Sequence, residues 1–207
     1  MKKHLIFISF CALMIQNVLA FQQNTDLQYQ ISFENAKDHY AEVKLQYKNL
    51  KSTENTLVLP VWTPVYYMIL DNPAHIIDFE VKTSSGEPVK WQKTLKNKWL
   101  IENAQNEEVV VSYRVYANRK SVAESNISEE KAFLTNTDIF MFPENKINTP
   151  VSLQIKLPEQ WQEIATGLKE LENGQFYAEN FDILYDGPFY LGNQKIIEFQ
   201  QLENYIK

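Results

Sequence analysis

Apolar and polar residues alternate along much of this chain. In LQYQISF, Leu27, Tyr29, Ile31 and Phe33 share one face, and in YAEVKLQY Ala41, Val43, Leu45 and Tyr47 do the same. In EVVVSYRVYA, Val109, Val111, Tyr113 and Val115 lie opposite Arg114 and Tyr116; VSLQIKLP repeats the pattern with Val151, Leu153, Ile155 and Leu157. Period-two alternation puts successive side chains on opposite faces, so these runs predict half-buried strands, with a last one near Lys195 to Gln200. The connectors SSGEP, ENAQNE, PENKINTP, LENGQ and YDGP carry turn residues, and only NISEEKAF and QQLENYIK have the look of short helices. Many short strands with few helices predict an all-β antiparallel sandwich. Without repeats, low-complexity stretches or a linker, residues 21–207 are expected to form one domain.

The first twenty residues break the pattern. Lys2 and Lys3 precede an apolar run from Leu5 to Ile15, too short to span a bilayer, and Val18-Leu19-Ala20 offers a cut after Ala20. That is the form of a secretory signal peptide, and an exported, periplasmic or extracellular bacterial product is expected. Removing 20 of the 207 residues would leave 187, shift the net charge from −6 to −8, and take away Cys11, the single cysteine. The mature chain would then be held by core burial alone, which its length allows. Its acidic balance argues against nucleic acid as a partner, and no further long apolar segment suggests a stable membrane anchor.

The search for catalytic chemistry returns little. His39 and His75 are the histidines outside the leader, and neither belongs to an HExxH or stands at metal-ligand spacing from another donor. No GxSxG elbow, glycine-rich phosphate loop or cysteine nucleophile is present. Neighbouring acids such as Glu107-Glu108 and Glu129-Glu130 would point apart on a strand and read as solvated charge. No catalytic, metal-binding or cofactor-binding residue is assigned.

LPVWTPVYYMIL, residues 59–70, is the most unusual stretch. Pro60 and Pro64 bracket Val61, Trp62 and Thr63, so the segment is extended but cannot be a central strand throughout. Trp62 is expected to anchor the core beside Tyr113 and Trp161; the competing reading is an aromatic contact surface.

Five segments in order carry a resemblance: PVWTP followed by Tyr67, VVVSYRVYANRKSV at 109–122, AFLTNTDIFMF at 132–142, WQEIATGL at 161–168 and FYAENFDILYDGPFYLG at 176–192. Together they resemble the N-terminal β-domain of the glycyl aminopeptidases, metallopeptidase family 61, over roughly residues 30–195. In that family the domain precedes a thermolysin-like domain with HExxH and a downstream Glu, and often a PDZ domain. The resemblance implies that arrangement elsewhere, and this chain stops about fifteen residues after Gly192, where the catalytic domain would begin.

The departures bear on function. The family's Gly-Ser after PVWTP is Val65-Tyr66 here, two family arginines are Leu70 and Ala123, and Thr135-Asn136 replaces an Asn-Gly. If the family Gly has a positive φ, a rebuilt turn is expected at Val65, whereas Asn136 can adopt such a conformation at low cost. Tyr66, Tyr67, Leu70 and Ala123 form the expected contact surface. The resulting expectation is an exported, non-catalytic homologue of the peptidase domain acting by peptide or protein binding. The alternatives are a truncated or split-gene fragment of a zinc aminopeptidase and an accessory subunit of a separate peptidase chain.

Overall fold

The structure is a computed structural model describing residues 25–47, 54–63, 66, 68–102, 108–195 and 197. The expected signal peptide, Val65, Tyr67, the QQLENYIK segment and most of the expected last strand lie outside the described residues.

The alternating runs become the centre of a seven-stranded sheet. It contains β1 (Leu27–Ser32), β2 (Tyr40–Tyr47), β4 (Ile76–Thr83), β7 (Val109–Tyr116), β12 (Val151–Lys156), β14 (Lys169–Glu170) and β15 (Phe176–Ala178), in the spatial order β14-β15-β12-β1-β2-β7-β4. β2 pairs with β7 from Tyr40↔Tyr116 to Tyr47↔Val109, which puts Ala41, Val43, Leu45 and Tyr47 on one face beside Val115, Tyr113, Val111 and Val109. All eight are buried, as are Leu27, Tyr29 and Ile31 of β1. One apolar face thus spans the middle of the sheet, as period-two burial requires.

Two smaller sheets complete the β-structure. One is five-stranded: β13 (Glu163–Thr166), β16 (Phe189–Gly192), β10 (Ala132–Leu134), β9 (Glu124–Ile127) and β8 (Asn118–Ser121), in that spatial order. The other has four strands, ordered β11 (Phe142–Pro143), β3 (Glu54–Val58), β6 (Lys98–Glu102) and β5 (Trp91–Leu95). Aromatic rings join the sheets. Phe79 of β4 stacks on Trp99 of β6 at 5.6 Å, and Phe176 of β15 meets Phe189 of β16 edge-on at 5.3 Å. Buried side chains of all three sheets belong to one continuous core.

The fold is all-β, with two corrections. The pairing is not purely antiparallel: β1 runs parallel to β12, from Leu27↔Val151 to Ser32↔Lys156. A parallel neighbour needs a long crossover, and here more than a hundred residues supply it. The expected helix at NISEEKAF is instead the end of β9, a turn and β10, closed by Ser128 Oγ donating to the Lys131 carbonyl. The α-helix among the described residues is α1 (Phe181–Asp186), capped by Asn180, whose side chain accepts from the Ile183 amide at 3.0 Å.

Residues 135–143 cross the core with little regular structure, and tyrosines satisfy their backbone. Tyr113 of β7 donates to the Ile139 carbonyl at 2.8 Å and accepts from the Met141 amide at 3.1 Å. Tyr29 of β1 donates to the Met141 carbonyl, and Tyr185 of α1 to the Phe140 carbonyl at 2.9 Å. Burial pushes all three hydroxyls above the ordinary tyrosine pKa, which keeps them protonated as donors. Asn136 adopts φ +65° and donates to the carbonyls of Leu184 and Gly187, tying this segment to the end of α1.

Candidate functional site

The alternation of β3 continues past its last residue. Leu57 and Leu59 point into the core and are fully buried, while Val58, Pro60 and Trp62 face the other way and line a cavity of about 890 Å³. Two contacts hold this phase: the Leu59 amide donates to the Asn97 carbonyl at 3.1 Å, and Asn97 Nδ2 returns a bond to the Leu59 carbonyl at 3.0 Å. Trp62 is therefore not a core anchor: it is 51% exposed, because its position falls on the opposite face from the buried leucines. Tyr113 and Trp161 are buried. The Trp161 ring packs 5.1 Å from Phe33, and its indole donates to the Glu129 carbonyl at 2.9 Å.

The expected contact surface divides. Ala123 lines the cavity beside Val122, which is 88% exposed. Half-buried Tyr66 is bridged to Thr63, another lining residue. Leu70 is not part of a contact surface. It is 7% exposed and its amide donates to the Val61 carbonyl at 2.8 Å, so it folds inward against its own segment. Tyr67 lies outside the described residues.

The remaining lining comes from Phe133 of β10, Thr135 and Thr137 of the core-crossing segment, Phe142, Ile147, and Asp182, Tyr185, Asp186 and Pro188 in and after α1. Asn136 anchors α1 from below. Gly187, which ends the helix, approaches Leu168 so closely that an added Cβ would sit 2.5 Å from Leu168 Cδ2. Beside the cavity lies a buried carboxylate. Asp138 accepts from the Ser125 amide at 2.6 Å, from Ser125 Oγ at 2.5 Å and from Thr135 Oγ1 at 3.0 Å. Burial raises its pKa, and those three donors oppose the rise. Ser125 is itself buried and returns an acceptor to the Thr135 amide at 3.0 Å, so this pair is a structural knot rather than a nucleophile facing solvent.

The cavity is apolar with a one-sided charge. Among the described residues its lining includes the carboxylates of Asp182 and Asp186 and no basic side chain. The hydroxyl of Thr137, in a residue 6% exposed, has no hydrogen-bond partner among the described residues. Such a site can take up an apolar side chain and a cation. Among the described residues no three His, Cys, Asp or Glu side chains converge to hold a metal ion. His39 ends a 3₁₀ turn with φ +69°, and its Nδ1 lies 2.6 Å from the Ile127 carbonyl. His75 Nε2 lies 2.6 Å from Arg119, whose other arm reaches Glu124 at 2.6 Å.

The carboxylates, Thr137 and Tyr185 were missed in the sequence. A signal did exist: Asn180 followed by FDILYD is an N-cap before a short helix, with acids four residues apart on one face.

The model of the Peptidase M61 N-terminal domain matches residues 28–193. Among solved structures, an aminopeptidase N family protein from Idiomarina loihiensis superposes with a TM-score of 0.79 at 28% identity, covering 86% of this chain and 31% of that one. The chain thus spans about a third of that protein's length. An M1 zinc metallopeptidase from Deinococcus radiodurans gives a TM-score of 0.47 at 8% identity, over 80% of this chain and 41% of that one. No curated protein matches.

Proposed function

Since that model covers residues 28–193, the chain belongs to the Peptidase M61 N-terminal domain family, and on that premise we propose that it works by contact, docking a partner protein through the face that holds the cavity. The partner under this reading is a peptidase chain carrying the HExxH that these 207 residues lack. The carrying observation is the cavity of about 890 Å³ with Trp62 and Val122 exposed at its edge. An indole half in water beside an almost fully exposed valine is costly apolar surface, and such patches on β-rich modules favour protein partners. Export after loss of residues 1–20 belongs to the same proposal and rests on the Lys2-Lys3 start, the short apolar run and Val18-Leu19-Ala20.

A photo-crosslinking residue at position 62, introduced in the cell that makes the protein, tests the reading. The expected product is a crosslink to an HExxH-containing chain that Val122→Asp abolishes. Crosslinks to no protein, or a pattern indifferent to Val122→Asp, would overturn it.

A further inference from the structure

We propose that the cavity beside α1 receives a basic side chain of the partner, held by Asp182 and Asp186 while a flanking apolar residue packs on Trp62 and Phe142. This deepens the docking reading above and rests on it. The two acids stand four residues apart on one helix, so both lie on the same face, where like charges repel. Both are exposed, and neither has an ion-pair partner among the described residues.

Three of the chain's cations are engaged elsewhere. Arg119 holds Glu124 at 2.6 Å, Lys146 reaches Asp26 at 3.5 Å, and Lys131 lies over the Tyr190 ring. With no ion pair to either acid among the described residues, the charge on α1 can meet an occupant. An occupant that packs on the apolar lining displaces water from beside that charge, which strengthens its attraction for a cation and its rejection of an anion. A purely apolar occupant would bring the acids toward a dry surface with nothing to offset them. Thr137 Oγ1, unpartnered among the described residues, is a further polar group at the same cavity. Lysine or arginine next to an aromatic or aliphatic residue satisfies both halves of the site, because its own stem is apolar.

The test uses the full chain and three amidated, acetylated peptides of sequence Ala-Phe-X-Phe-Ala, with X as Lys, Gln or Glu. Titrations are followed by calorimetry and by backbone amide shifts. The Lys peptide should bind about tenfold or more tightly than the Gln peptide, the Glu peptide more weakly still, and the shifts should include Ala123, Thr137 and Asp182. The Asp182→Asn/Asp186→Asn variant, whose changes are exposed and whose amide spectrum reports its fold, should reduce Lys binding to the Gln level. High salt should do the same to wild type. Equal Lys and Gln affinity, or a Lys preference that survives in the double variant, would overturn the cation assignment. Gln binding at the cavity without a Lys preference would still leave the docking reading standing. If no peptide binds, the cation assignment falls, and the position-62 crosslink then decides the docking reading separately. Light scattering of the free chain that gives twice the monomer mass, with the double variant monomeric, would assign the face to a second copy and also overturn the proposal.

Discussion

Residues 135–143 and 57–63 are both aromatic or aliphatic runs interrupted by polar groups, and both leave regular strands early. The first is buried: Ile139, Phe140 and Met141 are fully enclosed. The second alternates, with Leu57 and Leu59 inside and Trp62 half in water. Side-chain hydrophobicity does not separate them. What differs is how the backbone is satisfied. An irregular segment can enter a core only if its amides and carbonyls find partners, and the hydroxyls of Tyr29, Tyr113 and Tyr185 supply them for 139–141. Residues 59–63 are held instead at their edges, by Asn97 on Leu59, Asn72 on Pro60 and the Leu70 amide on Val61. Those bonds fix the course of the chain without enclosing it, and the outward positions remain for the cavity.

The largest expected effect comes from emptying the enclosed run. The Phe140 ring lies 5.3 Å from Tyr29 in an edge-on contact and is fully buried. Phe140→Ala should cost about 4 kcal/mol, the transfer of the ring plus the void it leaves. Chemical denaturation monitored by circular dichroism measures it, and a loss below about 1.5 kcal/mol would show that this segment is not the structural spine described here. A smaller effect is expected from the knot at its start. Asp138→Ala strands the buried Ser125 amide and Ser125 Oγ, together with the half-buried Thr135 Oγ1, and should cost about 3 kcal/mol in the same assay. Stability near that of wild type would mean that these donors find other acceptors or that the segment shifts freely.

Much of the enclosing framework was legible in the sequence and much of the enclosed part was not. Alternation in 27–33, 41–47, 109–116 and 151–157 reports burial on one face, and a period of two is a local property that a short run displays in full. The parallel β1–β12 pair was invisible because nothing local distinguishes a parallel neighbour from an antiparallel one when both strands are half-buried. The residue type at Asn136 left the αL conformation open at low cost, and the structure puts it there, at φ +65°. The error at Trp62 has a simple origin. Residue size argued for the interior, but position parity argued for the outside, and counting from Leu57 and Leu59 would have placed it correctly. Asp186 went unread because it falls in YDGP, a turn-residue connector, and Asp182 because Asn180 and the run after it served only to carry the resemblance.

The exposed region predicts a pH dependence of its own, separate from the one that the raised pKa of Asp138 gives the enclosed run. The 3₁₀ turn that follows residues 59–70 ends at His75, which faces Arg119, Asp71, Glu124 and Asp138. Partial burial, and then the Arg119 charge, lower the His75 pKa below its ordinary 6.5. The unfolded chain therefore takes up a proton at a higher pH than the folded one. His75 costs nothing above about pH 7. Its neutral, acceptor form is progressively disfavoured as pH falls through 6.5 toward the folded value, and the loss then levels off. Wild type minus His75→Gln, in denaturation free energy across pH 8 to 5, should decline over that window, the subtraction removing the titration of the carboxylates. A flat difference, or one that rises toward acid, would show that His75 is not held neutral against Arg119.

The smallest expected effect lies at Trp62, where the comparison is most exposed to failure. A buried tryptophan removed to alanine costs about 3–5 kcal/mol, since it loses its transfer free energy and leaves a cavity. Here the residue is already 51% exposed, and the atoms its ring covers belong to an open cavity rather than to packed core. The lost burial is partial and no sealed void forms, so Trp62→Ala should cost less than about 1 kcal/mol. Its consequence should appear in binding, where truncating an exposed aromatic anchor at the edge of a cavity weakens a partner that packs on it. Paired measurements of unfolding and of Lys-peptide titration on the same variant separate the two. A stability loss above about 2 kcal/mol would return Trp62 to the core and remove the contrast between the enclosed and outward-facing runs. Unchanged stability with unchanged binding would keep the contrast but deny the outward face a role in contact.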